Sequence, residues 1–239
     1  MTEARFTKIR ACLDRRQPDL AVVTDNVHKP HNVSAILRTC DAVGVFSLHA
    51  AMNPDEKFRA RSGIAMGSDK WIDLTLYEEA KTAITQLQDR GFQVVAVHKS
   101  ARSVNFREVD YCQSTAVLFG AELFGVSDSA AELADRHVYI PMQGMVESYN
   151  VSVAAAIVLL EAQRQRNLAG LYDECRLDEV TYKDTLYRWY RPTEARFCDE
   201  NNLPYPALDD RGQLADPAGF SVLRERLMVN NLSQSEKKS

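Results

Sequence analysis

The sequence predicts an α/β fold with a mostly parallel sheet over residues 20–170, flanked by helical extensions at both ends. Three observations predict it. Short apolar runs recur at 20–24, 45–51, 92–98, 115–119 and 137–140, as strands buried on both faces do. Segments with helical spacing and helical stop signals alternate with them. Beyond residue 170 the composition changes, becoming richer in charge and tyrosine. The expected organisation is therefore a helical extension over 1–19, a central domain over 20–170 and, over 171–239, a C-terminal extension whose interleaved basic and aromatic residues suit nucleic-acid contact, with a disordered tail.

Each element has a local reason. Residues 4–16 set Phe6, Ile9 and Leu13 at three-to-four spacing, the stripe of a short amphipathic helix that Gln17-Pro18-Asp19 breaks. The first strand, 20–24, leads into a polar loop at 25–31. A helix is expected over 34–43, capped by Asn32 or Ser34, whose side-chain oxygens can accept from a free backbone N–H, and ended by Gly44. The strand 45–51 follows, then a small-residue segment at 60–67. An amphipathic helix is expected over 77–90 with Gly91 behind it, followed by strands at 92–98 and 115–119. A helix over 127–136 precedes the strand 137–140, which stops at Pro141. The Ala/Val-rich run 150–167 is the long closing helix. In the tail, helices should flank an extended segment at Leu203-Pro204-Tyr205-Pro206, ahead of a disordered terminus.

The chain of 239 residues is 45% apolar and 26% charged, enough for a core and ordinary for a soluble protein. Its first residues are charged and lack the apolar centre of a signal peptide. The longest apolar run, 151–160, is too short to cross a bilayer, so no membrane association and a cytoplasmic location are expected. Five scattered cysteines without a C-x-x-C argue against disulfides and zinc. His28 and His31 lack a third ligand, so no metal is expected. The net charge of −4 does not advertise nucleic-acid binding, but its distribution is uneven. Arg5, Lys8, Arg10, Arg15 and Arg16 crowd the first turns, Arg164 and Arg166 end the long helix, and Lys183, Arg188, Arg191 and Arg196 interleave with aromatics. Taken singly, each cluster reads as a solvated helix face.

No G-x-G-x-x-G follows a strand and no P-loop is present. Ligands of open α/β sheets nevertheless bind beyond the carboxyl ends of the strands, and here the strands ending at Val97, Phe119 and Ile140 run into unusual loops. Arg38 lies six residues after Asn32; its plain reading is a surface ion pair with Asp41 one turn on, although its apolar neighbours put it at a core edge. Read alone, Glu122 is a loop carboxylate and Asn150 a helix cap.

Three segments acquire a sharper meaning together. Asn32 through Arg38 to Gly44, Phe119-Gly120-x-Glu122-x-x-Gly125, and Ile140-Pro141-Met142 through Ser148-Tyr149-Asn150-Val151-Ser152 resemble, in order and spacing, the three motifs of the TrmH (SpoU-type) branch of the SPOUT methyltransferases. The resemblance extends to 15–20, 27–32, 161–166 and 203–206 and covers roughly residues 5–210. Tyr149 stands where Leu is usual, and Leu123-Phe124 make the second motif more apolar. Physics alone predicts an unknotted sheet. The resemblance implies instead the SPOUT fold, whose C-terminal part is threaded into a trefoil knot, and an obligate homodimer with its active site at the interface. It implies S-adenosylmethionine as cofactor and the ribose 2′-hydroxyl of a tRNA D-loop guanosine as acceptor. It places the cofactor against Val97, Gly120, Ile140, Met142 and Tyr149, and makes Arg38 the expected catalytic group, with Asn32, Glu122, Ser148 and Asn150 shaping the site. Because the chain is acidic overall, phosphate contacts with tRNA are expected from its local basic clusters, Arg10, Arg15, Arg16, Arg164 and Arg166, together with His31. Two alternatives are a ribosomal-RNA 2′-O-methyltransferase of the same superfamily and a non-catalytic RNA-binding dimer. The short stretch ahead of the first strand favours tRNA over the first, and the presence of Arg38, Glu122 and Asn150 together opposes the second.

Overall fold

The computed structural model describes residues 2–52, 70–122 and 124–236. Among these, seven strands form one sheet: β1 (Gln17–Asp25), β2 (Val45–Ala51), β3 (Asp73–Tyr77), β4 (Gln93–Val97), β5 (Val104–Asn105), β6 (Thr115–Gly120) and β7 (Arg136–Tyr139). The order is β3-β2-β1-β6-β4-β7-β5, and every pairing is parallel. The helices are α1 (Glu3–Leu13), α2 (Pro30–Val43), α3 (Ala80–Asp89), α4 (Asp128–Leu133), α5 (Val151–Leu168), α6 (Glu179–Tyr190), α7 (Pro192–Glu200) and α8 (Pro217–Glu236).

Two apolar layers sandwich the sheet, and strand alternation decides which residue joins which. Leu20, Val22, Val117 and Phe119 point to the layer of α2 and α5, with Ile36, Leu37, Val158 and Leu159. Their neighbours Ala21, Val23, Ala116 and Leu118 point to the layer of α3 and α4, with Ile84, Leu87 and Ala130. Both faces are buried, so the strands read as continuous apolar runs rather than alternating ones. β1 and β6 end flush, with Asp25 opposite Gly120. Their shared carboxyl end forms the floor of the site described below.

The structure corrects several expectations. The first helix of the sheet domain starts at Pro30, with Lys29 as the extended N-cap, and neither Asn32 nor Ser34 caps it. Proline at the first helical position needs no N–H partner, and that moves the start upstream. Both Asn32 and Ser34 are buried within the helix instead. The helix expected over 77–90 begins at Ala80, because Tyr77 closes β3, which pairs with β2. That edge strand is only five residues long and mostly exposed, so it carries little apolar signal. Arg136 belongs to β7, drawn into pairing with Val95, so the preceding helix stops at Leu133. The segment 60–67 lies outside the described residues. The tail expected to be disordered is helical through Glu236, in a stretch of good helix formers such as Leu223, Arg224 and Glu225 with no proline after Pro217. Residues 237–239 lie outside the described residues.

The chain divides into two compact units, Asp14–Leu177 and the pair of segments Met1–Leu13 and Asp178–Ser239. The second is built around aromatic packing: Phe6 against Tyr190 at 4.8 Å, and Tyr187 stacked on Tyr205 at 4.9 Å.

Candidate active site

A cavity of about 410 Å³ opens where β4, β6 and β7 end. Val97 and His98 line it from β4 and its loop; Phe119, Gly120 and Glu122 from β6 and its loop; Ile140, Met142, Ser148 and Tyr149 from the segment between β7 and α5. All five residues expected to contact a cofactor therefore face one space. Glycine at 120 is a steric requirement: a Cβ there would collide with the backbone of Gly125 and Val126. Gly125 folds back in a left-handed conformation (φ +69°), and its N–H donates to the Ala121 carbonyl at 2.8 Å. This tight turn brings Glu122 to the cavity rim.

Polar groups from three distant segments meet there. Glu122 forms an ion pair with Lys29, and its second carboxylate oxygen accepts from Asn150 Nδ2. The same Asn150 nitrogen donates to Asn32 Oδ1 at 3.2 Å. Asn150 Oδ1 in turn caps α5, accepting from the Ser152 N–H at 2.9 Å and from Ser152 Oγ at 2.6 Å. The Lys29 hydrogen bond above all, with help from the Asn32 and Asn150 amides, holds the Glu122 carboxyl below its ordinary range. Burial, followed by the neighbouring His137, pushes the imidazole of His98, which lines the cavity, below its ordinary range. Sequence reading assigns Lys29 no role. It stands within the resembling run at 27–32, but nothing local marks a partner 93 positions away.

Arg38 is exposed on α2 and has no ion pair or hydrogen bond among the described residues. The expected pair with Asp41 is not formed, because Arg16 takes Asp41 instead. Arg38 therefore keeps its guanidinium donors available to an incoming anion. Ser148 is exposed at the cavity wall and His31 on the first turn of α2.

The arginines expected to contact RNA divide sharply. Arg10 and Arg15 are exposed. Arg164 is exposed too, although its fork grips Glu161 at 2.7 and 2.9 Å. Arg16 and Arg166 are corrections: both are buried, at 2% and 0% exposure, and neither can reach a phosphate. Arg166 spends its donors on the Tyr111, Asp19 and Gln113 carbonyls and on the Gln17 and Asp19 side chains, at 2.7–3.0 Å. Arg16 serves Asp41 and the Val45 carbonyl. Their partners are far off in sequence, so no local pattern distinguishes these cations from solvated ones.

The model of the SpoU rRNA Methylase family matches residues 19–160, and that of the SpoU rRNA methylase C-terminal region matches 164–217. A tRNA (guanosine(18)-2′-O)-methyltransferase of Thermus thermophilus is 54% identical over 190 residues, covering 80% of this chain and 97% of that protein. Among solved structures, the A. aeolicus TrmH/SpoU tRNA modifying enzyme superposes with a TM-score of 0.76 at 44% identity, covering 80% of this chain and 98% of the other. An AdoMet-bound rRNA methyltransferase from Sinorhizobium meliloti superposes at 0.55 with 29% identity, covering 65% and 59%. With more than half its length matched and its cavity built from the segments that carry the resemblance, the chain belongs to the SpoU methylase family.

Proposed function

We propose that this protein transfers a methyl group from S-adenosylmethionine to the ribose 2′-hydroxyl of guanosine eighteen in the D-loop of tRNA, the reaction named for its Thermus relative. The observation that carries the reading is the convergence of Asn32 and Asn150, from two other segments, on Glu122, which lines the cavity. The cavity suits the cofactor. Its volume of about 410 Å³ lies in the small-ligand range. Val97, Val138, Ile140 and Ala154 offer apolar contact to a purine, and Glu122 and Glu147 oppose a cation. Gly120 leaves room where any side chain would intrude. When bound, S-adenosylmethionine supplies an electrophilic methyl group on a sulfonium.

The chain must activate the acceptor. A ribose hydroxyl is a poor nucleophile until it loses its proton. Arginine, with a pKa above about 12, is a poor base. Arg38 acts instead by gripping the adjacent phosphate and stabilising negative charge as it grows on the 2′-oxygen. Glu122 and the two asparagine amides orient the ribose, and Ser148 closes the cavity wall beside Tyr149. Exposed Arg10, Arg15 and Arg164, with His31, supply phosphate contacts.

The same reading includes the trefoil-knotted SPOUT topology, a homodimer and a cytoplasmic location. Insertion of the late strand β7 between β4 and β5 supports a threaded chain. Val153 and Leu160, seven residues apart on α5, stay exposed along one side of the helix and suit a second copy. No helix among the described residues is long and apolar enough to cross a membrane. The test is transfer of labelled methyl to unmodified tRNA transcripts, followed by nuclease mapping. Label at the D-loop guanosine is expected. Label confined to ribosomal RNA, or none on any RNA, would overturn the reading.

A further inference from the structure

We propose that Lys29 is a positioning residue of the active site. Its ammonium fixes the Glu122 carboxylate, and through it the Asn150 and Asn32 amides, in the arrangement an incoming ribose meets. This rests on the methyl-transfer reading above.

The backbone aims the side chain. Pro30 restricts the residue before it to extended conformations, and Lys29 sits at φ −64°, ψ 116°. The Lys29 carbonyl is tied into α2 by the Asn32 and Val33 N–H groups at 2.9 and 3.2 Å, so its Cβ leaves the helix start in one direction. That direction leads to Glu122 Oε2 on the β6 loop. Glu122 Oε1 then takes Asn150, which takes Asn32. The chain of contacts thus runs from α2 through the Gly120–Gly125 turn to the cap of α5, and returns to α2 within one helical turn of where it began. A free carboxylate at this rim would repel a phosphate backbone and could rotate away from Asn150; the ammonium opposes both. Stability is a poor explanation for the pair, since Lys29 remains 44% exposed and exposed ion pairs contribute little.

Four variants test it: Lys29→Met, Lys29→Arg, Glu122→Gln and Lys29→Met with Glu122→Gln. The first readout does not depend on activity. With carboxyl-labelled glutamate, NMR titration should place Glu122 below its ordinary value in the parent and return it upward in Lys29→Met. An unmoved Glu122 titration overturns the proposal whatever the enzyme does. The second readout is single-turnover methyl transfer at saturating tRNA. Lys29→Met should slow it roughly ten- to a hundredfold, the scale of small misplacements in an active site. S-adenosylmethionine affinity should stay within about twofold, and Lys29→Arg should recover most of the rate. In the Glu122→Gln background, Lys29→Met should add almost nothing, because the two residues act as one unit. Additive losses, or a loss in tRNA affinity alone with turnover intact, would make Lys29 a direct phosphate ligand and overturn the proposal. Lys81→Met, which breaks an exposed pair with Glu79, is the control. Parent protein that methylates no RNA while the Glu122 titration still responds to Lys29 would sink the methyl-transfer reading but leave the coupling standing.

Discussion

The amino end of β1 and the surface of α2 use arginine in opposite ways. At the amino end, Arg166 and Arg16 are buried, and Arg166 is saturated by carbonyls, Gln17 and Asp19. On α2, Arg38 is exposed, with no partner among the described residues. Burial and saturation mark a structural cation, because a charge removed from water must have every donor met. An exposed guanidinium without such partners keeps its donors available to a ligand. In the sequence the three are indistinguishable.

Removing Arg166 should produce the largest change. Arg166→Met leaves Asp19 with only Arg176 and strands the Tyr111 and Gln113 carbonyls, so urea unfolding should show a loss of about 3–5 kcal/mol. A loss below about 1 kcal/mol would erase the contrast between the two regions.

Arg38→Ala should do the reverse. Stability should change by about a kcal/mol or less, while single-turnover methylation falls about a hundredfold or more. Arg38→Lys should rescue little, because lysine keeps the charge but loses the planar fork. Near-normal turnover in Arg38→Ala would remove Arg38 from the mechanism.

Arg164 lies between these extremes, exposed yet held by Glu161. Arg164→Ala should flatten the plot of log tRNA affinity against log salt by roughly 0.7–0.9, leaving cofactor affinity alone. An unchanged slope would place the RNA on another face.

The smallest expected effect concerns pH. Arg164 above all holds the Glu161 carboxyl below its ordinary value of 4.5. A depressed carboxylate stabilises the fold above its unfolded value and loses that contribution as pH falls through the folded one. Arg164→Ala should therefore make unfolding midpoints decline less between neutrality and acid; an identical decline would show the pair to be idle.

Legibility followed the range of the interactions. The strands at 45–51 and 115–119 and the long closing helix were readable because apolar runs and caps are local signals. The three site segments were readable through their resemblance, and their cavity through the strands that run into odd loops. What escaped was set by partners far along the chain. Lys29 needs Glu122, Arg16 needs Asp41 and Arg166 needs Asp19. β3 escaped for another reason: it is a short edge strand, paired with β2 and packing only Leu74 and Tyr77 against the core.

Asn150 serves two structures with one side chain. Its oxygen starts α5, and its nitrogen joins the Glu122 and Asn32 cluster. Fraying of the first helical turn and disassembly of the site are thus a single opening event with a single free energy. Any ligand that engages the assembled cluster opposes that opening by mass action, so it should slow hydrogen exchange at the Ser152, Val153 and Ala154 amides. The helix start thereby becomes a built-in reporter of whether the site is assembled.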